Sequence, residues 1–279
     1  MQYINLILDC PNAEYQELWL ARSTDMDFLG MEEKECSLII SFSEDSEDLK
    51  TLIGLLDASG QSYSTETIAA ENWNAQWESS FEPIIVSDPR NGHPLVYVRA
   101  SFHTQRPDIP REICITPKMS FGTGHHATTL QMMQQMSQLD FSDKTVFDFG
   151  TGTGILAIYA EMLGAKGVMA IDYDPWCIEN TKENLETNNA QNVAIECMDQ
   201  CPILTESVDL MLANINLNVI LDNLHSMIAS TKPMGFMLLS GILELDRSII
   251  EHKLEQSGLQ ILHTESLNQW LVILVQKPA

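Results

Sequence analysis

From Lys144 to the C-terminus, short apolar runs alternate with stretches in which apolar positions recur every three to four residues. Thr145-Val146-Phe147-Asp148-Phe149 reads as a buried strand, 154–163 as a helix and 167–171 as a second strand. A helix is predicted over 175–187, with Asp174 as its N-cap and Pro175 in its first turn. Aspartate accepts from the free first-turn amides, and proline has no amide to leave unpaired. Segments 193–196 and 208–213 read as the third and fourth strands, 218–230 as a helix, 236–240 as the fifth strand and 245–256 as a helix. The last two runs, 259–264 and 270–276, leave no room for a helix between them and should pair as a hairpin. This alternation predicts a mainly parallel sheet with an antiparallel final strand.

The first 70 residues have a different rhythm. Residues 3–8 and 38–42 read as strands, and Pro11 introduces a helix over 14–19. Ser46 caps a helix carrying Leu49, Leu52, Ile53 and Leu56, and Gly60 ends it. A strand near 64–70, with an extra one near 27–33, completes a small α+β unit of ferredoxin-like type. Residues 71–110 read as an interdomain linker. Trp73, Trp77 and Phe81 lie four apart there, an aromatic face suited to packing a domain joint. Five Pro and Gly residues (Pro83, Pro89, Gly92, Pro94, Pro107) punctuate the rest of this stretch, around a short strand at 95–98. The second domain is expected over 111–279.

Charge narrows the function classes. The 279 residues hold 39 acidic and 15 basic side chains, a net of −24, with 44% hydrophobic residues. Such a chain has material for a sizeable core. It lacks the basic footprint that nucleic-acid phosphates or an anionic membrane require. A basic protein partner suits its field, as does plain solubility. Residues 1–60 are the most acidic for their size, with 13 acids against 3 bases. Six cysteines are too few for a disulfide scaffold, and Cys197 and Cys201 have no second pair to complete a zinc site. With no basic leader and no long apolar run, a cytoplasmic protein is expected.

The sharpest chemical signal is Asp148-Phe149-Gly150-Thr151-Gly152-Thr153-Gly154, which closes a strand and opens a helix. Glycines at such a turn let backbone approach a ligand closely. Asp172 ends the next strand, 22 residues after Gly150, where a carboxylate accepts both hydroxyls of a ribose. A dinucleotide is one candidate ligand. However, the spacing is G-x-G-x-G rather than G-x-G-x-x-G, and Asp148 would repel a pyrophosphate. Asp148 suits a cationic ligand such as S-adenosylmethionine, directly or through water. Beyond the fourth strand, Asn214 offers a carbonyl that orients a nucleophilic amine or, alternatively, caps the next helix. Asp199 is either an acceptor for an adenine amine or an ordinary surface acid.

Ahead of the first strand, Pro117-Lys118-Met119-Ser120-Phe121-Gly122-Thr123-Gly124-His125-His126-Ala127-Thr128-Thr129 forms a glycine turn leading into a helix with Leu130, Met133, Met136 and Leu139 on its apolar side. Phe121 is expected to pack over the cofactor. Adjacent histidines rarely face one site, so no metal is expected and one of them is read as a turn or packing residue.

Together these segments resemble the bacterial ribosomal protein lysine methyltransferases that modify protein 11 of the large subunit. The Ser120–His126 run is the most specific part of the likeness, joined by Ile171-Asp172-Tyr173-Asp174-Pro175-Trp176 and Leu239-Ser240-Gly241-Ile242-Leu243. The resemblance implies a small substrate-recognition domain and a Rossmann-like class I methyltransferase domain using S-adenosylmethionine. It implies trimethylation of lysine and N-terminal amines on a basic ribosomal protein, by an enzyme expected to be a monomer. Carried over by motif, Thr123, Gly150, Asp172 and Asn214 hold the cofactor and Phe121 belongs to an active-site loop. With the residues read above, the candidate cofactor set is Thr123, Asp148, Gly150, Gly152, Asp172, Asp199 and Asn214, and the catalytic pair is Asn214 and Phe121. Thr151 stands where many relatives have cysteine. Three rival readings stand beside this one. They are a small-molecule methyltransferase, a glutamine-modifying protein methyltransferase (which typically carries Asn-Pro-Pro-Tyr where this chain has Asn214-Ile215-Asn216-Leu217), and a non-catalytic cofactor-binding protein of ribosome assembly.

Overall fold

The computed structural model describes residues 2–23, 26, 28–34, 37–69, 82–118 and 121–279. Trp73, Trp77 and Phe81 lie outside the described residues. Contacts divide the chain into two units, Met1–Ser79 and Ser80–Ala279.

The first unit runs β1 (Gln2–Asp9), α1 (Ala13–Ser23), β2 (Gly30–Lys34), β3 (Ser37–Ser43), α2 (Glu47–Ser59) and β4 (Tyr63–Ala69). Its sheet is antiparallel throughout, in the order β2-β3-β1-β4, which is the ferredoxin-like arrangement. Alternate residues of β1 (Leu6, Leu8) and β3 (Leu38, Ile40, Phe42) meet Trp19 of α1 and Leu49, Leu52 and Leu56 of α2 in one core. The α2 ends are those read from sequence. Ser46 Oγ accepts from the Leu49 amide at 3.3 Å, and Gly60 closes the helix at φ +68°.

The second unit carries two sheets. Strands β5 (Ile84–Ser87), β6 (Pro94–Arg99) and β7 (Glu112–Cys114) form the smaller one. These strands include part of the stretch that the Pro and Gly punctuation had suggested as a linker. Their Val86, Val96, Val98 and Ile113 belong to the main core of this unit. Helix α3 (Ala127–Met136) precedes the large sheet. Next come β8 (Thr145–Phe149), α4 (Ile155–Met162), β9 (Gly167–Asp172), α5 (Pro175–Thr187), β10 (Val193–Cys197), β11 (Val208–Asn214), α6 (Leu217–Ser230), β12 (Thr231–Leu243), a short 3-10 turn (Glu244–Asp246), α7 (Arg247–Gln256), β13 (Gln260–Leu267) and β14 (Trp270–Gln276).

The large sheet has the order β10-β9-β8-β11-β12-β14-β13, with β14 antiparallel to both neighbours. This is the Rossmann-like methyltransferase sheet that the sequence led us to expect. The central strands are apolar on both faces, as parallel strands covered by helices must be. Val146 of β8 and Leu210 and Leu212 of β11 join one core, while Phe147, Phe149, Met211 and Ala213 join the other. Asp148 interrupts this pattern. The strand order reverses between β8 and β11, so their C-terminal ends part there and open a crevice.

Candidate functional site

A cavity of about 600 Å³ opens at that crevice. Of the residues read from sequence, Phe121, Gly150, Gly152, Asp172, Asp199 and Asn214 line it. Thr123 and Asp148 are not in its wall. Thr123 is half-buried in the adjoining segment, its hydroxyl 3.2 Å from His125 Nδ1. Asp148 is fully buried, directly before Phe149, which does line the cavity.

The glycine loop is shaped by close neighbours. Gly150 and Gly152 have φ of +76° and +58°. A Cβ on Gly150 would lie 2.2 Å from Ile215 Cγ2, and one on Gly152 would lie 2.3 Å from the Phe121 carbonyl oxygen. Only glycine meets both demands. The 121–124 segment is bonded onto this loop, the Thr153 amide donating to Phe121 O at 3.0 Å and Thr153 Oγ1 to Gly122 O at 2.6 Å. From α5, the Thr181 hydroxyl donates to Gly152 O and the Asn184 amide to Thr153 O, each at 2.8 Å. The loop is thereby fixed from both sides.

Asp172 ends β9, and its carboxylate is aligned by the backbone. Gly152 N donates to Oδ2 at 2.9 Å and Asp174 N to Oδ1 at 3.1 Å. Each oxygen keeps a further lone pair for a ligand hydroxyl. The predicted cap of α5 is present, with Asp174 Oδ1 accepting from the Trp176 amide at 2.9 Å.

Asn214 ends β11. Its Nδ2 donates to Thr129 Oγ1 of α3 at 3.3 Å, and its buried Oδ1 has no partner. The helix-cap alternative goes to Asn216 instead, whose side chain accepts from Val219 N at 3.1 Å. An unpaired carbonyl in a cavity wall is costly unless a ligand satisfies it.

Asp148 has the same character in stronger form. Thr151 Oγ1 donates to its Oδ2 at 2.6 Å, and its Oδ1 has no partner. Burial, helped by the neighbouring Asp172 charge and opposed by hydrogen bonds from Thr151 and the Ala157 amide, pushes this carboxyl up to about 7. The folded protein therefore keeps a proton that the unfolded chain has lost. Stability should fall as pH rises from the ordinary carboxylate range to about 7, then level off. Asp148→Asn is expected to remove that slope, worth up to about 1.4 kcal/mol per pH unit. Thermal unfolding of both proteins across this range measures the difference, and parallel curves would contradict it.

The two histidines diverge. His126 is the N-cap of α3, and its ring packs 5.2 Å from Phe121 and 4.9 Å from Trp270. His125 Nε2 lies 2.7 Å from Glu82 O. The expected apolar side of α3, Leu130, Met133, Met136 and Leu139, packs on the core, and the buried face is wider than that. The helix ends at Met136, and Thr128, Thr129, Gln131 and Met132 are buried with Met133 and Met136. Polar residues on that side reach the cavity region, which a purely apolar periodicity does not register.

Sequence reasoning missed Tyr173, Ile215, Gly241 and Trp270 as cavity residues. Tyr173 comes directly after Asp172 and was within reach of inference. Trp270 was not, because only the long-range pairing of β14 with β12, Trp270 opposite Leu243, brings it there.

Comparison with known proteins adds a consistent set of likenesses. The family model described as ribosomal protein L11 methyltransferase (PrmA) matches residues 14–278. A protein of that name from Porphyromonas gingivalis is 42% identical over 217 residues, covering 76% of this chain and 71% of its own length. Another, from Chlorobaculum parvum, is 36% identical over 239 residues, covering 84% and 81%. The crystal structure of a ribosomal protein L11 methylase from Lactobacillus delbrueckii subsp. bulgaricus superposes with a TM-score of 0.64 at 25% identity. It covers 71% of this chain and 99% of that one.

Proposed function

The chain belongs to the ribosomal protein L11 methyltransferase family, and from that premise we propose that it methylates lysine and N-terminal amines of ribosomal protein L11 with S-adenosylmethionine. The observation that carries this reading is the bare Asn214 carbonyl in the wall of a cavity whose floor is a glycine loop beside an aligned carboxylate.

The residues fit the cofactor. The backbone of Gly150 and Gly152 gives the close approach, and Asp172 has lone pairs for ribose hydroxyls. Asp199 on the exposed rim is an acceptor for the adenine amine, and Phe121 and Thr123 belong to the covering segment. When bound, the cofactor supplies an electrophilic sulfonium methyl. The protein's part is to present a neutral amine in line with it. At the ordinary lysine pKa of about 10.4, deprotonation at pH 7 costs about 4.6 kcal/mol. Phe121, Phe149 and Trp270 make a partly apolar wall that lowers this cost by disfavouring the ammonium. Asn214 Oδ1 accepts a hydrogen bond from the amine N–H, which directs the nitrogen lone pair away from Asn214. Thr129 holds the Asn214 amide for that task. The amine proton leaves to water. The acidic N-terminal unit suits the recruitment of a basic ribosomal protein. The setting is the cytoplasm, and a monomer without nucleic-acid contacts suffices. Among the described residues no helix is long and apolar enough to cross a membrane.

Methyl transfer from labelled cofactor to unmethylated L11 and to free lysine separates this reading from a small-molecule enzyme. We expect kcat/KM for L11 to exceed that for free lysine by at least about 10³-fold, since remote binding energy is used at the reacting centre. Equal values would overturn the protein-substrate reading.

A further inference from the structure

Among the described residues, the carboxyl groups around the cavity have no counter-charge in its wall. Asp172, Asp174 and Asp199 line it, Asp148 lies behind it, and among the described residues no lysine or arginine is in its wall. Asp148 is the most deeply buried of the four. Its neighbour in register on β9 is Ala170 and on β11 is Leu212, both buried and apolar. The buried polar side chains of the helices in this region, Thr129 and Gln131 of α3, Tyr159 of α4, and Thr181 and Asn184 of α5, are uncharged. Of the charged groups, only Asp172 acts on Asp148, and it does so with the same sign. One oxygen is held by Thr151, the Ala157 amide of α4 faces the carboxyl and favours its ionised form, and Oδ1 has no partner within hydrogen-bonding geometry. A buried, unpaired carboxylate is among the costliest groups a fold can hold, and it relieves that cost by taking a proton or by acquiring a cation. Among the described residues none supplies a cation to Asp148.

We propose that Asp148 is a charge-reading residue, held as the neutral acid in the empty site and giving its proton to solvent when a positively charged cofactor enters. The inference rests on the cofactor assignment made above. It assigns Asp148 a role in specificity without contact with the reacting atoms. A sulfonium cofactor brings one more positive charge than its thioether product. The carboxyl therefore ionises more fully with the first than with the second. After transfer it regains a proton, and this contribution to binding is lost with the product. Binding and proton release are linked, so affinity for the sulfonium form must rise with pH while Asp148 is still protonated in the empty protein.

Calorimetry of the full-length protein with S-adenosylmethionine and with S-adenosylhomocysteine tests this without any turnover. Titrations near pH 6.5 in two buffers of different ionisation enthalpy count the protons released. The wild-type protein should release roughly half a proton or more per S-adenosylmethionine, and its affinity should rise towards about tenfold per pH unit below pH 7. S-Adenosylhomocysteine should release fewer protons and show a shallower slope. Asp148→Asn, of the same shape and uncharged, should release none and bind with a flat pH dependence. Binding by the wild type with no buffer dependence, or proton release that persists in Asp148→Asn, overturns the proposal. Failure of either ligand to bind at all overturns the cofactor assignment as well, so the two failures are distinguishable.

Discussion

Asn214→Ala is expected to lower the rate of methyl transfer by about 10²- to 10³-fold, the size seen when one preorganised polar contact to a reacting centre is removed. The reason is geometric. Asn214 Oδ1 is buried, unpaired and in the cavity wall, and Nδ2 is tied to Thr129 at 3.3 Å. The carbonyl is thus already aimed, and an incoming amine N–H is the partner it lacks. The alanine variant keeps the glycine loop and Asp172, so cofactor affinity should change by less than about tenfold, a difference of no more than about 1.4 kcal/mol. Single-turnover rates measured beside calorimetric affinities separate the two effects. Asn214→Asp should not rescue the rate, because a carboxylate favours the charged ammonium over the nucleophilic amine. A variant that transfers methyl groups at the wild-type rate would remove Asn214 from the chemistry.

Asp172→Ala should produce the opposite separation, with cofactor affinity falling by about 100-fold or more. Hydrogen bonds to a charged acceptor contribute about 1.5–3 kcal/mol each, so losing two ribose contacts reaches that size. The same substitution strips the acceptors from Gly152 N and Asp174 N, loosening the loop that approaches the ligand. Asp172→Asn keeps one carbonyl acceptor and should lose less. Calorimetry measures both, with thermal unfolding as the check on the loop. Unchanged affinity in the alanine variant would exclude Asp172 from the ribose site.

Local chemistry made much of this architecture legible in the sequence. Asp174 and Pro175 begin α5 where cap and first-turn preferences place them, and Ser46 and Gly60 bound α2 in the same way. The strand–helix alternation after Lys144 carries into the parallel pairing of β8 to β12, because parallel strands need helical crossovers. The features that sequence reading missed depend on distant pairing. Strand β5 lies in the stretch whose prolines and Gly92 suggested a connector with a single short strand at 95–98, and the apolar residues of β5 and β6 acquire meaning only in the core they share with α3 and α4. Trp270 reaches the cavity through a strand pairing that no local pattern encodes. Asp148 was visible as an acid beside the glycine loop. Its place behind the cavity wall comes from the parity of β8, where residue 148 shares a face with Val146 rather than with Phe149.

The central claim is tested most directly by intact-mass measurement of unmethylated bacterial large-subunit ribosomal proteins after incubation with this protein and S-adenosylmethionine. The account predicts a rise in steps of about 14 Da confined to L11, reaching multiples of three steps as amines become trimethylated. An unchanged L11 mass, with an active relative modifying the same sample, would contradict it.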